Sequence, residues 1–372
     1  MKTKLAEELG LEFPIFAFTH CRDVAAAVSK AGGLGVLGVA GHSLKNLEME
    51  LDWIEQQVGD RPYGVDLLLP TKFVGSDQGG IDSKKLASLI PAEHRKFLAE
   101  LLERHGVPPM PADEVPRQAF QVGYEQLRDV IELVFSRRIS LIASALGPPP
   151  AWMIEQGRAK GVRVAALAGT VEHARRHAEA GADIVVAQGY EAGGHTGEIA
   201  TMVLVPEVVD AVAPLPVLAA GGIGSGRQIT AALALGAQGV WMGSIWLTTE
   251  EAETHPVVKQ KFLKASSGDT VRSRSITGKP ARQLRSAWTE AWDDPANPAP
   301  LGMPLQPVLV AEAQARISRT AHKNPGSEAL INYFVGQIVG SMNQVKSVRS
   351  VIEELVSEYA DTMEQLDALA EK

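Results

Sequence analysis

Disulfide-forming capacity is missing from this chain of 372 residues: Cys21 is its single cysteine, so no intrachain bridge can form. Excess positive charge is missing as well. The formal net charge is −8, which leaves no basic footprint for nucleic acid or for an anionic membrane surface. No apolar run is long enough to cross a bilayer, and the opening Met1-Lys-Thr-Lys-Leu-Ala-Glu-Glu8 carries no apolar signal core. A cytoplasmic location is the expectation. Also absent are a Gly-x-Ser-x-Gly elbow and any partner set that would make Cys21 a nucleophile, which argues against acyl-enzyme chemistry.

Short apolar runs are present and alternate with helical patterns. The runs are Pro14–Phe18, Gly33–Leu37, Tyr63–Leu69, Ile139–Ala143, Val162–Leu167, Asp183–Ala187, Pro216–Ala220 and Gly239–Met242. Segments such as Asp23–Ala31, Val171–Ala180, Val205–Val212 and Arg227–Leu235 lie between them. This alternation predicts a parallel sheet wrapped by helices, and eight units predict closure into a (β/α)8 barrel over residues 1–270. An open doubly wound sheet is the alternative. Residues 71–138 form a long insertion after the third strand, helical over Ser83–His105, which reads either as a lid or as an ornamental or oligomer-contacting hairpin. Residues 271–372 read as a C-terminal helical extension packing on the barrel. Helices are predicted at Val308–Arg319 and Val345–Leu369, and the second carries an apolar stripe of Val351, Leu355, Tyr359, Met363 and Leu366. That stripe suits packing on the body of the protein or on a second subunit, so a homodimer is one expectation.

Glycine-rich loops follow the last three predicted strands. The sixth runs into Gln188-Gly-Tyr-Glu-Ala-Gly-Gly-His-Thr-Gly197, the seventh into Gly221-Gly-Ile-Gly-Ser-Gly226 and the eighth into Gly243-Ser244. Barrels build phosphate sites from the loops after strands seven and eight and a nearby helix N-terminus. His195 sits among these glycines at a strand end, where an imidazole suits proton transfer. Gly222-Ile-Gly-Ser-Gly226 lies on a late strand with no acidic residue at the spacing a dinucleotide fingerprint needs, so a mononucleotide or flavin phosphate fits better. His20 follows the first strand and is expected either to contact substrate or cofactor or to cap the first helix. His173 and His177 are four apart but flank Arg175 and Arg176 with no acidic or cysteine ligands, so no metal site is expected.

The chain resembles the nitronate monooxygenase family of FMN-dependent barrel enzymes. The resemblance rests on Ala25-Ala-Ala-Val-Ser-Lys-Ala-Gly-Gly-Leu-Gly35, Tyr63-Gly-Val-Asp66, Gly189–Gly197, Ala219–Ala237, Gly243-Ser244 and Tyr333-Phe-Val-Gly-Gln337. It implies an FMN phosphate surrounded by Ala192, Gly193, Gly194, Gly221, Gly222, Gly243 and Ser244, with Gln188 near the flavin body. Ala17 and Phe18 are implied to meet the ring through backbone, and Asp66 to lie beside it. His195 is implied as the base for the substrate's α-proton, with a small nitronate as substrate and O2 as acceptor. Three segments depart from the usual pattern: Phe16-Ala-Phe-Thr-His20, Asp66 where asparagine is usual, and Ala143-Ser-Ala-Leu-Gly-Pro-Pro-Pro150. An NAD(P)H-dependent flavin reductase of quinones or enoyl thioesters is the alternative enzyme. A barrel that binds FMN or a phosphometabolite without turnover is the alternative of another class.

Overall fold

The structure is a computed structural model that describes residues 1–69, 83–111 and 124–370. Eight parallel strands close a barrel in the order β1 (Ile15–Thr19), β2 (Leu34–Gly38), β3 (Tyr63–Leu68), β4 (Leu141–Ala145), β5 (Arg163–Ala168), β6 (Ile184–Gln188), β8 (Val217–Ala220) and β9 (Gly239–Met242). The strands read as continuous apolar runs because both of their faces are buried. Phe16, Leu34, Val36, Leu141, Ile184, Val186, Leu218 and Trp241 fill the barrel interior. Alternate residues such as Val65, Leu67, Ile142 and Val164 pack outward against the helices. The predicted barrel is therefore the observed one.

Three further strands lie outside the barrel. The two-residue β7 (Gly194–His195) pairs with β11 (Ala281–Leu284), which pairs with β10 (Thr270–Ser273), all antiparallel. The segment expected to be helical from residue 271 thus begins as a β-hairpin. Its runs of four residues are too short to show a strand period in the sequence. The later helices lie close to expectation, at Leu305–Thr320 and Val348–Ala370.

Within the insertion, the helix expected over Ser83–His105 is two helices, Ser83–Ser88 and Ala92–Arg104, parted before Pro91. The loop expected at Gly75–Gly80 lies outside the described residues. Phe97, Leu98, Leu101 and Leu102 are buried in one cluster with Val258, Phe262, Trp288, Trp292, Leu309 and Ile317. Each such side chain contributes about 1.5–3 kcal/mol on burial, which ties this part of the insertion firmly to the chain after residue 255. Arg316 donates to the carbonyls of Val107 and Pro108, and Asn324 to that of Gly106.

The last helix docks on the barrel helices through the first half of its stripe. Val351, Ile352 and Leu355 are buried, whereas Met363 and Leu366 are exposed. Its closest seat is the helix Gly226–Ala234: a Cβ on Gly226 would lie 2.3 Å from Tyr359 N. Among the described residues no helix is long and apolar enough to cross a membrane.

Candidate functional site

The site is built at the C-terminal mouth of the barrel. β6 alternates Ile184 and Val186 inward, so Gln188 also faces the interior, half-buried and at the rim. Beyond it the chain folds back: Gly189 N–H donates to Ala220 O at 2.9 Å and Tyr190 N–H to Ile199 O at 2.8 Å. The Glu191 carboxylate accepts from Thr201 N–H (3.0 Å) and Thr201 Oγ1 (2.8 Å), closing the loop. Ala192 is buried beneath it. Gly193 lies against a second loop so closely that a Cβ would sit 2.8 Å from Gly336 N. Gly194 has φ +74°, a left-handed conformation that glycine adopts without strain.

His195 then enters β7, aligned with Ala281 of β11. Its Nε2 lies 2.9 Å from Thr277 Oγ1. That hydroxyl accepts from Lys279 N–H (3.3 Å) and donates to Lys279 O (3.2 Å). In the Nε2–H tautomer Thr277 accepts from the ring, and Nδ1 carries the free lone pair. Burial first, and the Lys279 ammonium second, depress the imidazole pKa to about 4. His195 is therefore a neutral ring at physiological pH. Lys279 forms no ion pair among the described residues, and desolvation lowers its own pKa. The Phe334 ring stands 6.3 Å from the imidazole.

The glycine loops after β8 and β9 lie beside this histidine's loop. Gly221 (φ +101°) and Gly222 (φ +70°) turn the chain in a conformation that suits glycine. The N–H groups of Gly222 and Ile223 donate to no described residue. Gly243 is 3.7 Å, by a would-be Cβ, from the Phe18 ring, and Ser244 Oγ accepts from Gly336 N–H at 2.8 Å. At the N-terminus of the helix Gly226–Ala234, Glu358 of the last helix accepts from Gly226 N–H (2.8 Å) and Arg227 Nε (2.9 Å).

On β1, next to β9 in the barrel, Phe18 faces inward beside Trp241 at 6.4 Å. Ala17 does not: its side chain is buried in the helix-facing cluster, as strand alternation requires, so only its backbone can serve the site. His20 Nδ1 donates to Gly38 O (3.1 Å), and its ring meets Phe18 edge-on at 5.1 Å. It is open to solvent yet ringed by protein, and this crowding lowers its pKa despite the Gly38 bond. Tyr333 is likewise solvent-accessible but surrounded, and desolvation raises its phenol pKa. Asp66 points inward from β3 and is buried.

Thr277, Lys279 and Phe334 were not legible as site residues in the sequence. Phe334 lies within the Tyr333–Gln337 motif, whereas Thr277 and Lys279 carry no signal of their own; β7–β11 pairing and the Gln283–Phe334 bridge bring the three to the mouth. His177 is buried with Nε2 on Leu167 O (3.0 Å) and does not pair with His173 as a ligand set. Among the described residues, only Cys21, Asp23 and Glu253 bring three possible ligand atoms together. Cys21 Sγ donates to Glu251 O there.

A family model described as nitronate monooxygenase matches residues 3–358. Rv1533 of Mycobacterium tuberculosis, named as a candidate monooxygenase, is 60% identical over 379 residues and covers 100% of both chains. A Staphylococcus saprophyticus protein named for nitronate monooxygenase is 32% identical over 331 residues, 84% of this chain and 88% of its own. Among solved structures, nitroalkane oxidase from Streptomyces ansochromogenes matches with TM-score 0.79 and 25% identity over 97% of this chain and 99% of its own. FabK from Thermotoga maritima matches with TM-score 0.74 and 28% identity over 99% of each.

Proposed function

This chain belongs to the nitronate monooxygenase family, and we propose that within it the protein is an FMN-dependent oxidoreductase that oxidises small alkyl nitronates with O2. The observation that carries this reading is a neutral imidazole beside an unpaired ammonium at the mouth of a barrel whose neighbouring loop keeps free N–H donors. Those parts fit FMN. Gly222 and Ile223 would hold the phosphate together with the Gly243–Ser244 turn, while Gln188, Phe18 and the Ala17 backbone would border the ring. When bound, FMN supplies the electron acceptor that passes electrons on to O2.

The chain's own residues do the rest. Lys279 attracts a nitronate anion or the nitro group of its parent acid. His195, its Nε2 proton engaged by Thr277, takes the α-proton of a neutral nitroalkane at Nδ1. Phe334 and Tyr333 border the histidine's side of the mouth and restrict water there. The likeness to FabK favours one second reading, reduction of the flavin by a nicotinamide in service of another substrate.

One experiment separates the two. The purified yellow protein is titrated without O2, by absorbance, with a nitronate, NADH and NADPH in turn. Rapid bleaching by the nitronate alone is the expected result. Bleaching by a nicotinamide and not by the nitronate would replace this reading with the second.

A further inference from the structure

Asp66 is a charged residue type placed where no charge is answered. It is the fourth residue of β3, in register with Gly38 of β2 and Ala143 of β4, and only 4% exposed. Its inward neighbours are apolar or lack a side chain, among them Ala143, Leu141 and Val36. Oδ2 is buried with no hydrogen-bond partner, and Asp66 forms no ion pair among the described residues. The titratable side chains at the loop ends beside β2 are His20 and His42. His20 Nδ1 bonds Gly38 O and His42 Nδ1 bonds Val39 O, and neither ring is hydrogen-bonded to the carboxyl. A carboxylate with one oxygen dry and unpaired is costly to hold, and the usual escape is to keep the proton.

We propose that Asp66 is a neutral carboxylic acid that presents its O–H at the barrel mouth as a hydrogen-bond donor to an acceptor atom of the bound flavin. The inference rests on the reading that FMN fills the mouth. A neutral donor stabilises electron density arriving on the ring, whereas a carboxylate at the same place would oppose it. Desolvation, with no opposing contribution, raises the Asp66 pKa well above the ordinary carboxyl range, in line with this geometry.

The test uses the FMN-loaded protein and two variants. Asp66→Asn keeps a neutral donor of the same shape, so its FMN dissociation constant should stay within about threefold of wild type, and its midpoint potential at neutral pH should be unchanged. Asp66→Leu should bind FMN about tenfold more weakly, the loss of one hydrogen bond. Infrared difference spectra on flavin reduction should show the C=O stretch of a protonated carboxyl in wild type and lose it in Asp66→Asn. As pH rises through the Asp66 pKa, wild-type FMN affinity should fall while that of Asp66→Asn holds. A raised midpoint potential in Asp66→Asn, or a wild-type spectrum without the carboxyl band, would overturn the proposal. The spectrum needs no variant, so a misfolded substitution cannot hide the answer. Wild-type protein that takes up no FMN would overturn the functional reading itself, a separate and visible outcome.

Discussion

Replacing Thr277 by valine should cost this enzyme its preference between two forms of the same substrate. Valine fills the same volume as threonine but carries no oxygen, and Thr277 is only 4% exposed, so water has no room to stand in for the lost hydroxyl. Three contacts disappear: the 2.9 Å link to His195 Nε2, the 3.3 Å acceptance from Lys279 N–H and the 3.2 Å donation to Lys279 O. Each neutral hydrogen bond is worth about 0.5–1.5 kcal/mol, and a buried donor left alone costs about 1–3 kcal/mol. The imidazole then has no reason to keep its proton on Nε2 or its ring in place. Loss of about 1.4 kcal/mol of that orientation corresponds to about tenfold in rate. The assay is steady-state oxygen uptake with a nitroalkane and, separately, its preformed nitronate. We expect kcat/KM to fall about tenfold for the nitroalkane and less than about twofold for the nitronate, because only the first needs its proton removed. Thr277→Ser should restore most of the loss. Equal losses with both forms would mean that Thr277 shapes the pocket and does not position the base.

Other outcomes follow from the same geometry. The nitroalkane kcat/KM should be flat around neutrality and fall only as pH drops through about 4, where the base becomes protonated. Lys279→Met removes a repelling charge, so that acid limb should move to higher pH, and a fixed limb would refute the coupling. Gly226→Ala would force a Cβ to within 2.4 Å of Leu355 O as well as onto Tyr359 N. Both are backbone atoms, so the last helix must shift, at about 1–3 kcal/mol measurable by urea denaturation. An unchanged midpoint would disprove that seat. Burial raises the Cys21 thiol pKa, and alkylation at neutral pH should proceed only after unfolding.

The sequence was most readable where structure is local or doubly buried. All eight barrel strands stood out because apolar residues occupy both faces of each, and Gly193 and His195 because glycines and an imidazole abut a strand end. The partners of His195 were hidden for the opposite reason. Thr277 lies 82 positions away in the turn between β10 and β11, and reaches His195 only because β11 pairs with a two-residue strand that has no period to detect. Glu358 was invisible because a helix stripe advertises its apolar residues, while this carboxylate matters through the helix end it covers.

His195 is held in register by chain that is made long after it. Every barrel strand through Met242 precedes Thr277, β11 and the Gly336 loop that fixes Gly193 and Ser244. On the ribosome, all eight barrel strands are therefore made before the segments that hold His195 in register, so the order of synthesis separates scaffold from site.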